Sequence, residues 1–140
     1  MQVHVIARGK IGRSPEAELY ERYVKRLPWP HRLTELPDQG GTFPLPLKPA
    51  REVLLDERGK VLSSEQFAAQ LGRWRDEGVR EVRFHIGAAD GHDDAAREAA
   101  DLLLSFGAMT WPHMMARAML AEQLWRASSI LAGHPYHRSG

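Results

Sequence analysis

Val79-Arg80-Glu81-Val82-Arg83-Phe84-His85-Ile86-Gly87-Ala88-Ala89-Asp90-Gly91-His92-Asp93-Asp94 is the stretch on which the fold turns. Val82, Phe84 and Ile86 alternate with polar residues, the period of a strand. Gly87 to Gly91 closes that strand in a turn, and Asp93 and Asp94 are capping residues for a helix of roughly Ala95 to Leu104. Strand, glycine turn and capped helix make half of a βαβ unit, and another such unit lies upstream. Glu52 to Asp56 reads as a core strand, and Asp56-Glu57-Arg58-Gly59-Lys60 as the turn after it. Ser63 and Gln66 stand three apart as a capping box, Phe67, Leu71 and Trp74 follow at helical spacing, and Gly78 ends that helix.

The N-terminal part repeats the pattern. Val3, Val5 and Ala7, around Ile6, form a first strand. Ser14-Pro15-Glu16 starts a helix with a capping serine, proline at the first position and an acid in the first turn. Its apolar face is Leu19, Tyr20, Tyr23, Val24 and Leu27, and Pro28 and Pro30 end it. Arg32 to Leu36 is a short strand. Residues 37–50, with Pro37, Pro44, Pro46, Pro49 and Gly40-Gly41, form an extended loop within the domain. Ser105 to Trp111 is a short strand or loop, and Pro112 precedes a last helix of about His113 to Leu131, which Gly133 stops. This alternation predicts an α/β fold: one domain over residues 1–140, a mostly parallel sheet, helices on both faces.

Composition narrows the function classes. The chain has 140 residues, 43% of them hydrophobic and 26% charged, as in a globular domain rather than a fibrous or disordered one. Cysteine is absent, so disulfides, thiolate chemistry and zinc–thiolate sites are excluded. The apolar runs are far too short for a membrane span, and Met1-Gln2-Val3-His4-Val5-Ile6 lacks the features of a secretion signal. A cytoplasmic location is the expectation. Net charge is +1, unevenly spread: residues 1–32 carry +4, residues 33–110 carry −5 and residues 111–140 carry +2. Basic ends brought to one face would make a modest anion-facing patch; scattered, they are solvated surface charge.

Ligands of parallel sheets bind beyond the carboxyl ends of strands, so the candidate loops follow Leu55, Ile86 and Phe106. The turn Gly87–Asp94 is a poor phosphate loop, without the dinucleotide fingerprint or the Lys-Ser/Thr of a P-loop, and with two aspartates at the helix start. In Leu104-Ser105-Phe106-Gly107-Ala108-Met109-Thr110-Trp111-Pro112-His113, the small Gly107 and Ala108 leave the backbone accessible beside apolar Phe106, Met109 and Trp111. That suits an adenine ring and ribose, though ordinary core plus loop reads the same way. The tail from His134 to Ser139 concentrates two histidines, a tyrosine and an arginine. Histidine and tyrosine can move protons, and arginine can hold phosphate or stack on a base. Two histidines in a tail are not a metal site, and no metal is expected.

Taken in order, five markers resemble the SPOUT-class RNA methyltransferases. They are Val3-His4-Val5-Ile6-Ala7-Arg8-Gly9-Lys10; Leu54-Leu55-Asp56 with Gly59-Lys60-Val61-Leu62-Ser63-Ser64-Glu65; Ile86-Gly87 with Gly91; Leu104 to His113; and His134-Pro135-Tyr136-His137-Arg138. Within that class the chain is similar to the small family that methylates N3 of a pseudouridine in large-subunit (23S) ribosomal RNA. The resemblance implies a C-terminal trefoil knot, which nothing in the periodicity suggests. It implies a homodimer acting on the ribosome, with S-adenosylmethionine bound by Leu55, Gly87, Phe106, Gly107, Ala108, Met109, Thr110 and Trp111. Tyr136, His137 and Arg138 are then the catalytic candidates, and Arg8, Lys10, His134 and Arg138 the RNA-binding ones. Three features depart from the family pattern: Ala88 replaces a second glycine, Asp90 replaces Glu or Asn, and the segment 37–50 is short.

Three functions compete on these residues. A methyltransferase would use the tail to take the N3 proton or to stabilise the imidate. A non-catalytic ribosome- or RNA-binding module would use only the basic ends. A small nuclease would need His134 and His137 as acid and base.

Overall fold

The computed structural model describes residues 1–87 and 92–138. The elements run β1 (Gln2–Arg8), α1 (Pro15–Val24), β2 (His31–Leu36), β3 (Ala50–Val61), α2 (Ser64–Asp76), β4 (Glu81–Ile86), α3 (Asp94–Ala99), β5 (Leu102–Ser105) and α4 (His113–Ala132). The five strands form one sheet in the order β2-β1-β4-β3-β5, and every pairing is parallel.

The order fixes which face each connection takes. The connections β1 to β2 and β3 to β4 step one way along the sheet; β2 to β3 and β4 to β5 step the other way. Right-handed crossovers therefore put α1 and α2 on one face and the 37–49 segment with α3 on the opposite face. On the first face Val3, Val5, Val53, Val82 and Phe84, all fully buried, pack with Leu71 of α2 and with Leu120 and Leu124 of α4. Each such side chain contributes about 1.5–3 kcal/mol of burial. α4 lies between α1 and α2 and packs against both.

Capping chemistry sets the helix ends. Ser14 Oγ accepts from Ala17 N–H at 3.1 Å, Ser63 and Gln66 form the reciprocal capping box, and Asp93 Oδ1 accepts from Ala96 N–H at 2.7 Å. At the end of α4, Gly133 (φ +70°) donates to Ile130 O and His134 N–H to Ser129 O, a Schellman closure that turns the tail back.

Two expectations need correction. The helix expected to reach Leu104 stops at Ala99, and Leu102–Ser105 is a strand. Leucine favours helices, but here Leu102 and Leu104 are buried against β3, and that tertiary pairing outweighs propensity. The turn expected at Asp56–Lys60 is instead a bend within β3, which pairs with β5 on both sides of a register shift between Leu55 and Lys60. Gly59 sits in that bend, where an added Cβ would lie 2.6 Å from the Leu103 backbone. No helix among the described residues is long and apolar enough to cross a membrane.

The second face of the sheet is polar. His4 and Glu81 are fully buried there, with His4 Nδ1 3.3 Å from Glu81 Oε2 and Nε2 2.7 Å from Thr34 Oγ1. Burial lowers the His4 pKa despite the carboxylate beside it. Glu81 Oε1 also accepts from Leu47 N–H at 3.2 Å, and the Arg83 guanidinium donates to Glu52 at 3.0 Å and to Pro44 O at 2.5 Å. These bonds tie the 37–49 segment to the sheet.

Candidate functional site

A cavity of about 300 Å³ opens at the carboxyl ends of β3, β4 and β5. Leu55, Gly87, Phe106, Gly107, Met109, Thr110 and Trp111 line it; of the expected cofactor residues only Ala108 does not. The loop after β5 is shaped by its own hydrogen bonds. Ser105 Oγ accepts from Gly107 N–H at 3.1 Å and donates to Gly107 O at 3.0 Å, and the Trp111 indole donates to Phe106 O at 3.3 Å. Gly107 has φ +110°, a conformation that only glycine adopts without strain, and a Cβ there would meet nothing within 4 Å. The loop therefore presents bare backbone to open space.

Sequence reasoning missed the charged rim of this cavity. Arg97 Nε donates to Asp56 Oδ2 at 2.6 Å, Arg97 Nη1 to Asp94 at 3.0 Å, and Arg58 N–H to Asp56 Oδ1 at 2.9 Å. Burial alone would raise the Asp56 carboxyl, but these bonds outweigh it and hold it below the usual carboxylate range. Arg97 is shifted upward, chiefly by its bond to Asp56. His92 Nε2 donates to Leu55 O at 3.0 Å and so fixes the lip of the cavity; burial lowers its pKa and keeps the ring neutral. Asp56 stands among the sequence markers, but its partner Arg97 lies 41 residues away, and no local spacing joins them. The expectations at Ala88, Asp90 and Gly91 lie outside the described residues.

The tail lies elsewhere. Tyr136 and His134 pack on Trp125 at 5.7 Å between ring centroids, and Arg126 sits 4.9 Å above the Tyr136 ring. Tyr136 O–H donates to Glu122 Oε1 at 3.1 Å; burial first, then its bonding to Tyr23 and Glu122, pushes its pKa up to about 12. His137 Nδ1 accepts from Arg126 Nη1 at 3.1 Å, and its Nε2 donates to Glu65 at 2.8 Å, so both ring nitrogens are assigned. Arg138 is exposed. None of residues 134–138 lines the cavity of its own chain. His134 and His137 face different partners, which does not suit a paired acid and base.

Arg8 and Lys10 occupy a third place. Arg8 Nη1 donates to Pro37 O at 2.9 Å and also bonds Gly40 O, while Lys10 is exposed in the following loop. That loop is anchored from α4. Arg117, fully buried, donates to Glu35 Oε2 at 2.6 Å and to Gly9 O at 3.2 Å, and Ile11 N–H donates to the same Glu35 carboxylate at 2.8 Å. Among the described residues, no group of three or more His, Asp or Glu could hold a metal ion.

Comparison with known proteins identifies the family. Residues 44–137 match the family model described as "Predicted SPOUT methyltransferase". The chain is 71% identical to the ribosomal RNA large subunit methyltransferase H of Novosphingobium aromaticivorans, over 100% of both chains. It is 65% identical to the protein of that name from Rhizorhabdus wittichii, again over 100% of both. The Paramagnetospirillum magneticum protein of the same name is 49% identical, with 99% of each chain covered. An all-parallel sheet, a cavity at its carboxyl edge and these full-length identities lead to one assignment: the chain belongs to the SPOUT methyltransferase family.

Proposed function

We propose that this protein transfers the methyl group of S-adenosylmethionine to N3 of a pseudouridine in large-subunit ribosomal RNA. It works in the cytoplasm, on the assembled ribosome, as a homodimer whose C-terminal part is knotted. The observation that carries the reading is the convergence of Leu55, Gly87, Phe106, Gly107, Met109, Thr110 and Trp111 from three strand ends on one cavity. The cavity's chemistry fits the cofactor: apolar walls and bare backbone for adenine and ribose, and no phosphate cradle among the described residues. Asp56 is already paired with Arg97, which leaves Glu57 as the rim carboxylate for a cationic ligand. When bound, S-adenosylmethionine supplies an electrophilic methyl group on a positive sulfur.

The remaining work falls to the chain's own residues. A uracil-type N3–H must give up its proton for N3 to be methylated, so the residues that meet the base would have one proton to take and one imidate to stabilise. With its pKa pushed up to about 12, Tyr136 stays a neutral phenol, so its part is to donate its one hydrogen bond to the imidate oxygen in exchange for Glu122. His137 Nδ1, which accepts from Arg126, is the nitrogen able to take the N3 proton once that bond is exchanged. Arg138, exposed beside them, would hold the imidate or a flanking phosphate. Because the tail does not line its own chain's cavity, the partner's tail completes the site. Net charge of +1 gives little nonspecific hold on naked RNA, so recognition rests on the shape of the ribosome.

Calorimetry with S-adenosylmethionine tests this reading. Wild type binds; Gly107→Arg, which pushes a long side chain into the open space before the loop, loses binding while its circular-dichroism melt persists. Equal affinity in the variant removes this loop from the cofactor pocket; no binding by wild type favours a non-catalytic RNA-binding module.

A further inference from the structure

A second, larger cavity of about 700 Å³ lies over the polar face of the sheet, against the 37–49 segment, and shares Ile86 and Gly87 with the first. At its mouth stands Phe43. This ring takes no part in the hydrophobic core, and 46% of its surface is open. The Arg8 guanidinium lies 5.4 Å from its centroid, and the His85 ring lies 5.8 Å away, tilted by 56°. Each neighbour is itself fixed: Arg8 by Pro37 O and Gly40 O, and His85 Nε2 by Glu52 at 2.7 Å. Gly40 and Gly41, at φ +74° and +81°, make the sharp turn that brings Phe43 back to Arg8, and a Cβ on Gly41 would lie 2.9 Å from Pro37 Cδ.

We propose that the Arg8–Phe43–His85 cluster at the mouth of this cavity is a binding site for an unpaired nucleobase of the ribosomal RNA, next to the nucleotide that is methylated. Unstacked RNA bases are held on aromatic rings and guanidinium planes, and an immobilised, half-open phenyl ring with a cation against it is such a platform. Aliphatic docking on another protein would not need the cation and imidazole at the ring. Arg8 makes the cluster continuous with the basic loop that ends in Arg13. The shared Ile86 and Gly87 place the base one strand end away from the methyl donor. The inference rests on the reading that the substrate is ribosomal RNA.

The experiment measures cosedimentation of Phe43→Leu, Phe43→Ala, Phe43→Tyr and Phe43→Trp with unmethylated ribosomes over a range of salt. Methyl transfer, S-adenosylmethionine affinity and melting are followed in parallel. Leucine keeps apolar packing but not stacking. Ribosome Kd and KM rise about ten- to a hundredfold in the Leu and Ala variants and stay near wild type in Tyr and Trp. Cofactor affinity, melting and the salt slope do not change. Equal binding by the Leu variant overturns the proposal, as does failure of both Tyr and Trp to restore binding in a folded protein. A shallower salt slope in Phe43→Leu would show that Phe43 merely steadies the Arg8 cation, and also overturns it. If wild type binds ribosomes without methylating them, the methyltransferase reading fails alone, and the Leu-against-Trp contrast still decides the stacking site. If wild type does not bind ribosomes, both fall.

Discussion

Arg117 shows how a single residue joins the two halves of the molecule. Its α4 turn also carries His113 and Ala116, which line the first cavity, while its guanidinium reaches the loop after β1 through Gly9 O and Glu35. Burial alone would raise the Glu35 carboxyl, but the bonds from Arg117 and the Ile11 N–H outweigh it and hold it below the usual range. A buried arginine left without its anion is costly, but Glu35 is partly exposed and glutamine still offers an oxygen, so Glu35→Gln should destabilise the fold by about 1–2 kcal/mol at pH 7. The sign of the pH dependence follows from the depressed pKa. The Glu35 contribution is complete above the unfolded carboxylate value of about 4.3 and is lost as pH falls through the lower folded value. Urea melts of wild type and Glu35→Gln should therefore differ at pH 7 and converge below pH ~4. A constant gap across that range would show that the effect is not electrostatic.

Among the elements, β3 is the least expected and the most consequential. Its bend carries the strand past β5, so Asp56, Glu57 and Arg58 become the rim of the cavity instead of a remote turn. Gly59→Ala puts a methyl group 2.6 Å from the Leu103 backbone, which cannot give way as a flexible side chain would. The substitution should cost about 1–3 kcal/mol and weaken S-adenosylmethionine binding along with it. Thermal melts and calorimetry on the one variant read both effects; unchanged melting would mean that β5 shifts freely. This element also marks the limit of what sequence makes legible. Val82-Phe84-Ile86, the Ser63–Gln66 box and the Ser14-Pro15 start are local signals, and each sits where its spacing predicts. The boundary between α3 and β5 is not local: Leu102 and Leu104 become strand residues only because β3 is beside them, 49 residues away at Val53 to Leu102. The cavity's loops were readable because strand ends carry sites, whereas Arg97 and the Phe43 cluster depend on long-range placement.

At the scale of the whole molecule, stability is tied to the buried histidines. Burial lowers the pKa of His4, His31 and His92, so these rings are neutral in the fold and more readily protonated in the unfolded chain. Their contribution is complete above about pH 6.5 and is lost as pH falls through the folded values, ahead of the loss from Glu35, Glu52 and Asp56 below pH ~4. The melting temperature should thus decline in two steps between pH 7.5 and 3, and a maximum near pH 5 would contradict it. The proposed dimer would use the α4 side of the molecule. Ala118, Leu120, Ala121, Leu124 and Ala127 are buried within one chain, so much of the helix's apolar surface is already used. What stays open is Met115, together with Met109 and Trp111 just before the helix and Val61 at the end of β3. Met109 and Trp111 line the first cavity, and exposed apolar side chains there suit the self-complementary surface of a two-fold dimer. The composite site proposed above has each tail complete the other chain's cavity in such a dimer. Removing residues 134–140 should then leave S-adenosylmethionine affinity near wild type and abolish methyl transfer. Mixed dimers make the arrangement decisive. Pair Gly107→Arg, which has a tail but no working cavity, with the tail-deleted chain, which has a cavity but no tail. If sites are shared, one site of the mixed dimer holds both defects and the other holds none, so methyl transfer returns at one of its two sites. If each chain uses its own tail, both sites are broken, and well-formed mixed dimers stay inactive.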